Sequence, residues 1–382
     1  MNERSNPAGI SEYISRDCNE AVTHFCEERS VYYNSIQSNE DRKMYKELLS
    51  KITSFQEMKG DDISALIAKI NAGEISDVQI AGFQVALLMK GATKDELAHF
   101  AKAMRDNCVP LRPKVSGELM DTCGTGGGLS TFNISTATAI VAAAAGIPIA
   151  KHGSRSLASL SGSADVLEAL GVNINLNPSQ VEKMIEEIGI AFLYAPLFHP
   201  VMCKVLPAES DLGIKTIFYT IIGPLINPAF AQRHLLGVYK LELLDTVTYV
   251  AKELGYTNAM FVHGLDGLDE ISLLGKTRIN HLRNGEVTTF EIQPEDFGLS
   301  RCKLEDIKSS TPEHNATIIK GVFEGKILDS NKDAVVLNAA GALVVGSKAD
   351  DFKQGVALAK SIIESGAAKK KLEELKEMSN DF

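Results

Sequence analysis

The most constraining stretch of this chain runs from Asp121 to Asp165 and reads DTCGTGGGLSTFNISTATAIVAAAAGIPIAKHGSRSLASLSGSAD. It is denser in small, hydroxyl and glycine residues than any other window of comparable length. A short strand over 119–122 is expected to run into Gly124-Thr125-Gly126-Gly127-Gly128, after which Asn133, Ser135 and Thr136 open a helix of alanines and valines that stops at Gly146. Glycines let backbone N–H groups approach a ligand closely, and the first turn of a helix offers unpaired donors and the positive end of its dipole. Such a turn suits a phosphate. A second strand over 147–150 delivers Lys151-His152-Gly153 to its end, and parallel pairing would set a cation and an imidazole beside the same mouth. Each feature alone has a plainer explanation: glycine serves any tight strand-to-helix turn, a lysine is usually a solvated charge, and Ser159, Ser161 and Ser163 make an ordinary polar loop. Together they are harder to dismiss, because a long polar run between two buried apolar elements costs much backbone order.

A chain of 382 residues with 45% hydrophobic content can hold two domains and a sizeable core. No apolar run approaches a membrane span, and MNERSNPAG lacks a basic segment followed by an apolar one, so neither insertion nor export is expected. Cys18, Cys26, Cys108, Cys123, Cys203 and Cys302 are dispersed without CxxC spacing, which fits a reducing cytoplasm better than a zinc knuckle or a disulfide framework. The net charge of −10, with no long basic cluster, argues against nucleic-acid binding as the main activity.

Residues 1–43 are polar and read as an appendage. From 44 to 112 the pattern is helical: Ile63, Leu66, Ile67 and Ile70 before Gly73, then a helix capped by Ser76 and closed by Gly91, then Thr93 with Glu96 at capping-box spacing. This is a small all-α domain. Val109 to Pro113 form an extended linker. From 113 to 382 short apolar strands alternate with helices, with strands expected near 172–174, 190–194, 235–239 and 260–263. A hairpin of 278–282 with 287–292 turns across Asn284-Gly285. The fold class is α/β, a small N-terminal helical domain and a larger domain with a mainly parallel central sheet flanked by helices and an antiparallel edge. One return of the chain to the helical domain is compatible with this division.

Asp266, Asp269 and Glu270 follow a strand that ends at His263-Gly264, the end at which α/β folds bind ligands. Neighbouring loop carboxylates suit Mg²⁺, a hard cation that keeps waters and bridges phosphate oxygens. A solvated acidic turn is the plainer alternative. His199-Pro200 and the run from Gly223-Pro224 to Pro228 mark two rigid loops of the kind that shape a pocket wall.

These motifs carry a resemblance. DTCGTGG, STFNISTATA, AKHG, SGSADVLEALG, FLYAPLFHP, GPLINPA, HGLDGLDEIS and LNAAGALVVGSKADDFKQG occur in the order and spacing of the anthranilate phosphoribosyltransferases, from about Met44 to the C-terminal helices. The resemblance implies a homodimer that transfers phosphoribosyl from phosphoribosyl pyrophosphate (PRPP) to the amine of anthranilate with Mg²⁺. By position it implies that Gly124, Thr125, Gly126, Gly127, Asn133, Ser135, Thr136 and Lys151 hold the phosphate groups. It further implies that Ser135, Asp269 and Glu270 serve the metal, and that His152, Gly153, Ser154, Glu209 and Pro224 line the acceptor side. No covalent nucleophile is needed.

The departures from the family pattern cluster in the same segments. The glycine turn is one residue short and lacks the family's aspartate, Ser154 stands for an asparagine, and Leu160 for a lysine. Glu209 stands for the first arginine of P-V-R-R-E-L-G, Lys215 for a later arginine, and the segment around Phe218-Tyr219-Thr220 is one residue longer. An arginine that pairs with the acceptor carboxylate would thus become a like charge. Three readings follow: the family reaction with a variant pocket in which Arg155 or Lys215 serves the carboxylate; a related transferase or phosphorylase with another acceptor; or a non-catalytic paralogue that binds ligand or nucleic acid. On the sequence alone, Glu209→Arg is expected to improve the use of anthranilate.

Overall fold

The computed structural model describes residues 39–382 apart from 127 and 157–159, so the expected appendage lies almost wholly outside the described residues. The chain forms two compact units, one of residues up to Val109 together with Pro196–Ile226, the other of Pro110–Ala195 and Asn227–Phe382.

The first unit is helical. α1 (Asn39–Thr53), α2 (Gly60–Ala72), α3 (Asp77–Lys90) and α4 (Lys94–Asp106) begin and end where the capping residues lie. Ser76 and Thr93 accept from the backbone N–H groups of Gln79 and Glu96, and Gly73 takes the left-handed φ of 77° that ends α2. Glu96 does more than cap: it is fully buried and receives Met58 N–H at 2.9 Å and Lys90 Nζ at 2.5 Å, which fixes α3 against α4. The returning segment supplies α5 (Met202–Leu212) and a π-turn, Phe218–Ile222. Phe218 packs between Phe83 and Phe100 with ring centroids 6.5 and 5.6 Å away, so this segment completes the helical core.

The second unit is a seven-stranded sheet of order β3-β2-β1-β4-β5-β6-β7. Its strands are β1 (Met120–Gly124), β2 (Ile149–Gly153), β3 (Ile190–Tyr194), β4 (Arg233–Gly237), β5 (Asn258–Gly264), β6 (Thr277–Arg283) and β7 (Glu286–Ile292). The first five are parallel and the last two antiparallel. The β6–β7 turn has Asn284 and Gly285 at φ 52° and 82°, as a two-residue hairpin with right-handed twist requires. Residues 172–174, expected as a strand, do not pair with the sheet: Val172 and Ile174 are buried, and Asn173 N–H donates to Ser379 Oγ near the C-terminus at 3.0 Å.

Helices flank the sheet: α6 (Ile134–Ala144), α7 (Ser163–Ala169), α8 (Pro178–Ile188), α9 (Leu244–Glu253), α10 (Pro312–Phe323), α11 (Ser330–Val345), α12 (Phe352–Glu364) and α13 (Ala367–Asn380). α6 and most of α11 are apolar nearly all round and largely buried, because other helices cover their outer faces. With β1 at the centre and its neighbours parallel, the carboxyl ends of β1, β2, β4 and β5 open on one side. No helix among the described residues is long and apolar enough to cross a membrane.

Candidate active site

The site is organised by a buried carboxylate that the motifs did not single out. Asp121, in β1 and fully buried, accepts the N–H groups of Thr122 (2.7 Å) and His152 (3.1 Å) and the side-chain amide of Asn227 (2.7 Å). Asn227 also donates to Ala150 O at 2.8 Å, so one amide bridges β1 and β2. Burial pushes the Asp121 pKa up to about 6, opposed by the charge of Lys151 and by these hydrogen bonds. Lys151, expected at the phosphate groups, is buried in the sheet. It is 3% exposed and its Nζ donates to Thr122 O at 2.6 Å, the burial lowering its pKa while Asp121, Cys123 and Glu270 oppose that. His152 is buried and kept neutral, its pKa lowered to about 3 by burial and then by Lys151.

The glycine turn takes its shape from the acidic loop. A Cβ on Gly237 would lie 1.6 Å from Asp269 O, one on Gly124 2.6 Å from Asp269 Oδ2, and one on Gly128 2.9 Å from Gly267 O. Asp269 Oδ2 in turn accepts Gly126 N–H at 3.0 Å, with Gly126 at φ 64°. Thr125 ties β1 to β4, its N–H on Gly237 O at 2.8 Å and its hydroxyl accepting Tyr239 N–H at 3.0 Å. These glycines therefore admit Asp269 to the turn, whatever else the turn binds. Gly127 lies outside the described residues.

Asp269 and Glu270 are neighbours at the carboxyl edge of the sheet. Burial raises both pKa values, Glu270 well above the usual carboxylate range, where the Asp269 charge adds to the effect and Lys151 opposes it. Two adjacent carboxylates that desolvation and mutual repulsion both disfavour form a hard oxygen donor set that a divalent cation would neutralise, and this fits Mg²⁺. Ser135, in the first turn of α6 and half-buried, offers a hydroxyl. Asp266 does not join them: Leu268 N–H and Ser272 Oγ occupy its two oxygens at 3.1 and 2.6 Å, which makes it the post of its own turn.

Several residues expected at the site have partners within the fold. Thr136 is 1% exposed in the buried face of α6 and its N–H is spent on Asn133 O at 3.1 Å, while its hydroxyl is buried with no hydrogen-bond partner among the described residues. Gly153 is confined by Ser163, whose Oγ would lie 2.2 Å from an added Cβ, and Ser154 is exposed. Arg155 pairs with Asp165 at 3.1 Å and Glu168 at 2.6 Å, so it is committed to α7.

Glu209 and Pro224 belong to the helical unit. Pro224 is buried in the turn after the π-turn. Glu209 is 4% exposed, and its carboxyl accepts the Thr216 hydroxyl, Thr216 N–H at 3.3 Å and Gln84 Nε2 at 3.4 Å. Its carboxyl is thus turned onto Thr216 and its own unit, and burial raises its pKa. Lys215 is exposed, with Nζ 5.5 Å from the Tyr219 ring centroid.

Two residues of the neighbouring strands β1 and β4 complete the picture. Cys123 Sγ lies 3.2 Å from His234 Nε2, and with Asp121 their donor atoms fall within 4.8 Å of one another. The Asp121 oxygens are already spent on three N–H donors, and Lys151 stands beside them, so the cluster is a packed polar core. Burial and the Asp121 charge raise the Cys123 thiol well above its ordinary pKa, which keeps it protonated and a poor nucleophile.

Comparison with known proteins agrees with this layout. The α/β domain model of the glycosyl transferase family matches residues 116–369, and its helical bundle domain model matches 46–108. This chain belongs to the glycosyl transferase family. Among its curated relatives, the anthranilate phosphoribosyltransferase of Petrotoga mobilis is 44% identical over 338 residues, 88% of this chain and 97% of the relative. The solved anthranilate phosphoribosyltransferase of Thermus thermophilus superposes with a TM-score of 0.81 at 38% identity, covering 87% of this chain and 99% of that one. That of Saccharomyces cerevisiae in complex with PRPP and Mg gives a TM-score of 0.81 at 29% identity over 91% of this chain and 99% of its own.

Two measurements check the site. Glu209→Arg should destabilise the helical unit by about 3–5 kcal/mol in denaturant unfolding, because it buries an unpaired guanidinium, while Glu209→Gln should stay close to wild type. This reverses the gain in anthranilate use expected from the sequence; an Arg variant as stable as wild type would show that residue 209 reaches solvent. The second concerns His234, fully buried, its pKa lowered from 6.5 to about 3 by burial and then by Lys151 and His152. A depressed imidazole pKa lends stability above pH 6.5 that is lost as pH falls towards 3, about 2 kcal/mol of it by pH 5. His234→Gln should therefore show a smaller loss of stability between pH 7 and 5 than wild type, and an unchanged loss would refute a buried neutral imidazole.

Proposed function

We propose that this chain is an anthranilate phosphoribosyltransferase, converting PRPP and anthranilate to N-(5-phosphoribosyl)anthranilate and pyrophosphate with Mg²⁺. The observation that carries the reading is the pair Asp269 and Glu270 set against the glycine turn at the carboxyl edge of a parallel sheet, in a chain that aligns with such enzymes over nearly their whole length.

The reaction breaks the bond from ribose C1 to pyrophosphate oxygen and forms one from C1 to the amine nitrogen, which then loses a proton. Positive charge builds on the sugar and negative charge on the departing pyrophosphate, so groups aimed at the pyrophosphate stabilise the transition state more than the ground state. Bound Mg²⁺ would neutralise part of that negative charge. Ser135, Asp269 and Glu270 would hold it. The start of α6 would face a phosphate with the positive end of its dipole, and Lys151 would add positive potential from beneath. An aromatic amine needs little activation, so positioning and exclusion of water are the main tasks, and the protonated Cys123 is consistent with direct transfer.

The reading with a different acceptor rested on Ser154 and on a carboxylate at 209 facing the substrate. Its inward orientation supports the loss of an attraction instead of the gain of a repulsion, which weakens anthranilate binding without excluding it. We place the enzyme in the cytoplasm, in keeping with the dispersed cysteines and the biosynthetic reaction. A homodimer is supported by an exposed apolar stripe on α3, where Val78 is 83%, Val85 41%, Leu88 46% and Met89 74% exposed at helical spacing.

Loss of anthranilate fluorescence with PRPP and Mg²⁺, run beside calorimetry with PRPP alone, tests the activity. Turnover is expected, and Asp269→Asn should raise the Mg²⁺ needed for half-maximal rate by at least about tenfold. PRPP binding without turnover of anthranilate would favour another acceptor, and no PRPP binding would sink the enzyme reading. For the dimer, Met89→Glu with Val85→Glu should shift the sedimentation mass from twice the chain mass to one; a wild type that sediments as a monomer would exclude it.

A further inference from the structure

Asn133 stands where the α6 helix begins, and every hydrogen-bonding position of its side chain is occupied. Nδ2 donates to Ser161 O at 3.2 Å and Gly162 O at 3.1 Å, while Oδ1 accepts Ser161 Oγ at 3.0 Å and Asn315 Nδ2 at 3.0 Å. An amide has two N–H donors and two carbonyl lone pairs, so none is left for a ligand. Asn133 therefore acts as a tie between the helix entry and the serine loop, and what holds the tie is Asn315.

Asn315 is fully buried in the first turn of α10, far from Asn133 in sequence. Its Nδ2 also donates to Ser309 Oγ at 3.2 Å, and its Oδ1 accepts Ser310 N–H at 3.1 Å. The segment just before it runs along the exit of the glycine turn: Phe132 N–H bonds Ile307 O and Ser309 N–H bonds Ser130 O, each at 3.0 Å, with Thr131 and Lys308 bridged between. On its other side α10 packs against α7, whose Asp165 accepts Gly162 N–H at 2.8 Å and Ser156 N–H at 3.1 Å. One helix thus braces both walls of the mouth, the 130–133 entry through Asn315 and the 154–163 loop through α7.

We propose that Asn315 is a positioning residue of the phosphoribosyl site. Its donor holds the Oδ1 end of the Asn133 amide while the Ser161 and Gly162 carbonyls hold the Nδ2 end, and together they fix the spacing between the α6 entry and the serine loop. If that donor is lost, Oδ1 keeps only the Ser161 hydroxyl and the amide can shift, which loosens that spacing. The inference rests on the reading of this mouth as the PRPP site.

The test is a double-mutant cycle with PRPP itself as the probe, using the full chain, Asn315→Ala, Asn133→Ala and the pair together. Asn315→Ala should raise the PRPP Kd in calorimetry and the PRPP KM by about tenfold, with kcat and the anthranilate KM within about twofold. The pair should be no worse than Asn133→Ala alone, because both act on one tie. Asn315→Asp keeps the size and the bond from Ser310 but turns a carboxylate onto Asn133 Oδ1, so it should lose at least as much as the alanine; it carries the test if the alanine variant does not fold. Unchanged PRPP affinity in a folded Asn315 variant, or single effects that multiply in the pair, would overturn the proposal. A wild-type chain that binds no PRPP would instead count against the proposed activity, and the two failures are thereby told apart.

Discussion

The buried Asp121 carboxylate is the constraint on which the active unit depends. It lies in the central strand, and it is satisfied by one donor from its own strand, one from β2 and one from Asn227. A buried carboxylate left without donors would cost several kcal/mol, so strand register and the approach of the Asn227 segment are fixed together. Lys151 enters the same arrangement, bonded to the carbonyl of Thr122 between Asp121 and Cys123. The Lys151 cation is therefore part of the sheet, held from below and not free to sweep through solvent.

Above this base the mouth is built by mutual exclusion of side chains. Gly124, Gly128 and Gly237 leave room for the backbone and carboxylate of the 267–269 segment, and Gly126 donates back to Asp269. The acidic loop and the glycine turn are therefore one object, and neither takes its shape alone. The anchor of the turn is Asp269, which comes from after β5.

Much of the fold was legible in the sequence because its signals are local. Capping residues at Ser76 and Thr93, the stop at Gly73 and the Asn284-Gly285 hairpin act over a few residues, and the structure places each where the sequence did. Residues 172–174 were misread because a buried apolar triplet has no period, and whether it pairs in a sheet or packs under a helix depends on neighbours distant in sequence. The return of 196–226 to the helical unit was open for the same reason: the position of Phe218 between Phe83 and Phe100 is a tertiary fact.

For the site, residue types and motif order alone determined a strand, glycine turn and helix start, a following Lys-His-Gly, and a late pair of acidic residues at a strand's end. From these come the phosphate chemistry, the hard metal and the resemblance to a phosphoribosyl transferase. Only the tertiary structure decided how each polar atom is spent. Asn133 reads as a ligand residue in sequence, yet its four hydrogen bonds go to Ser161, Gly162 and Asn315; Glu209 reads as a charge facing the acceptor, yet Thr216 and Gln84 turn it inward. The physical reason is that a hydrogen-bonding capacity is finite and a sequence states only the capacity, while the partners that use it up arrive from segments tens to hundreds of residues away.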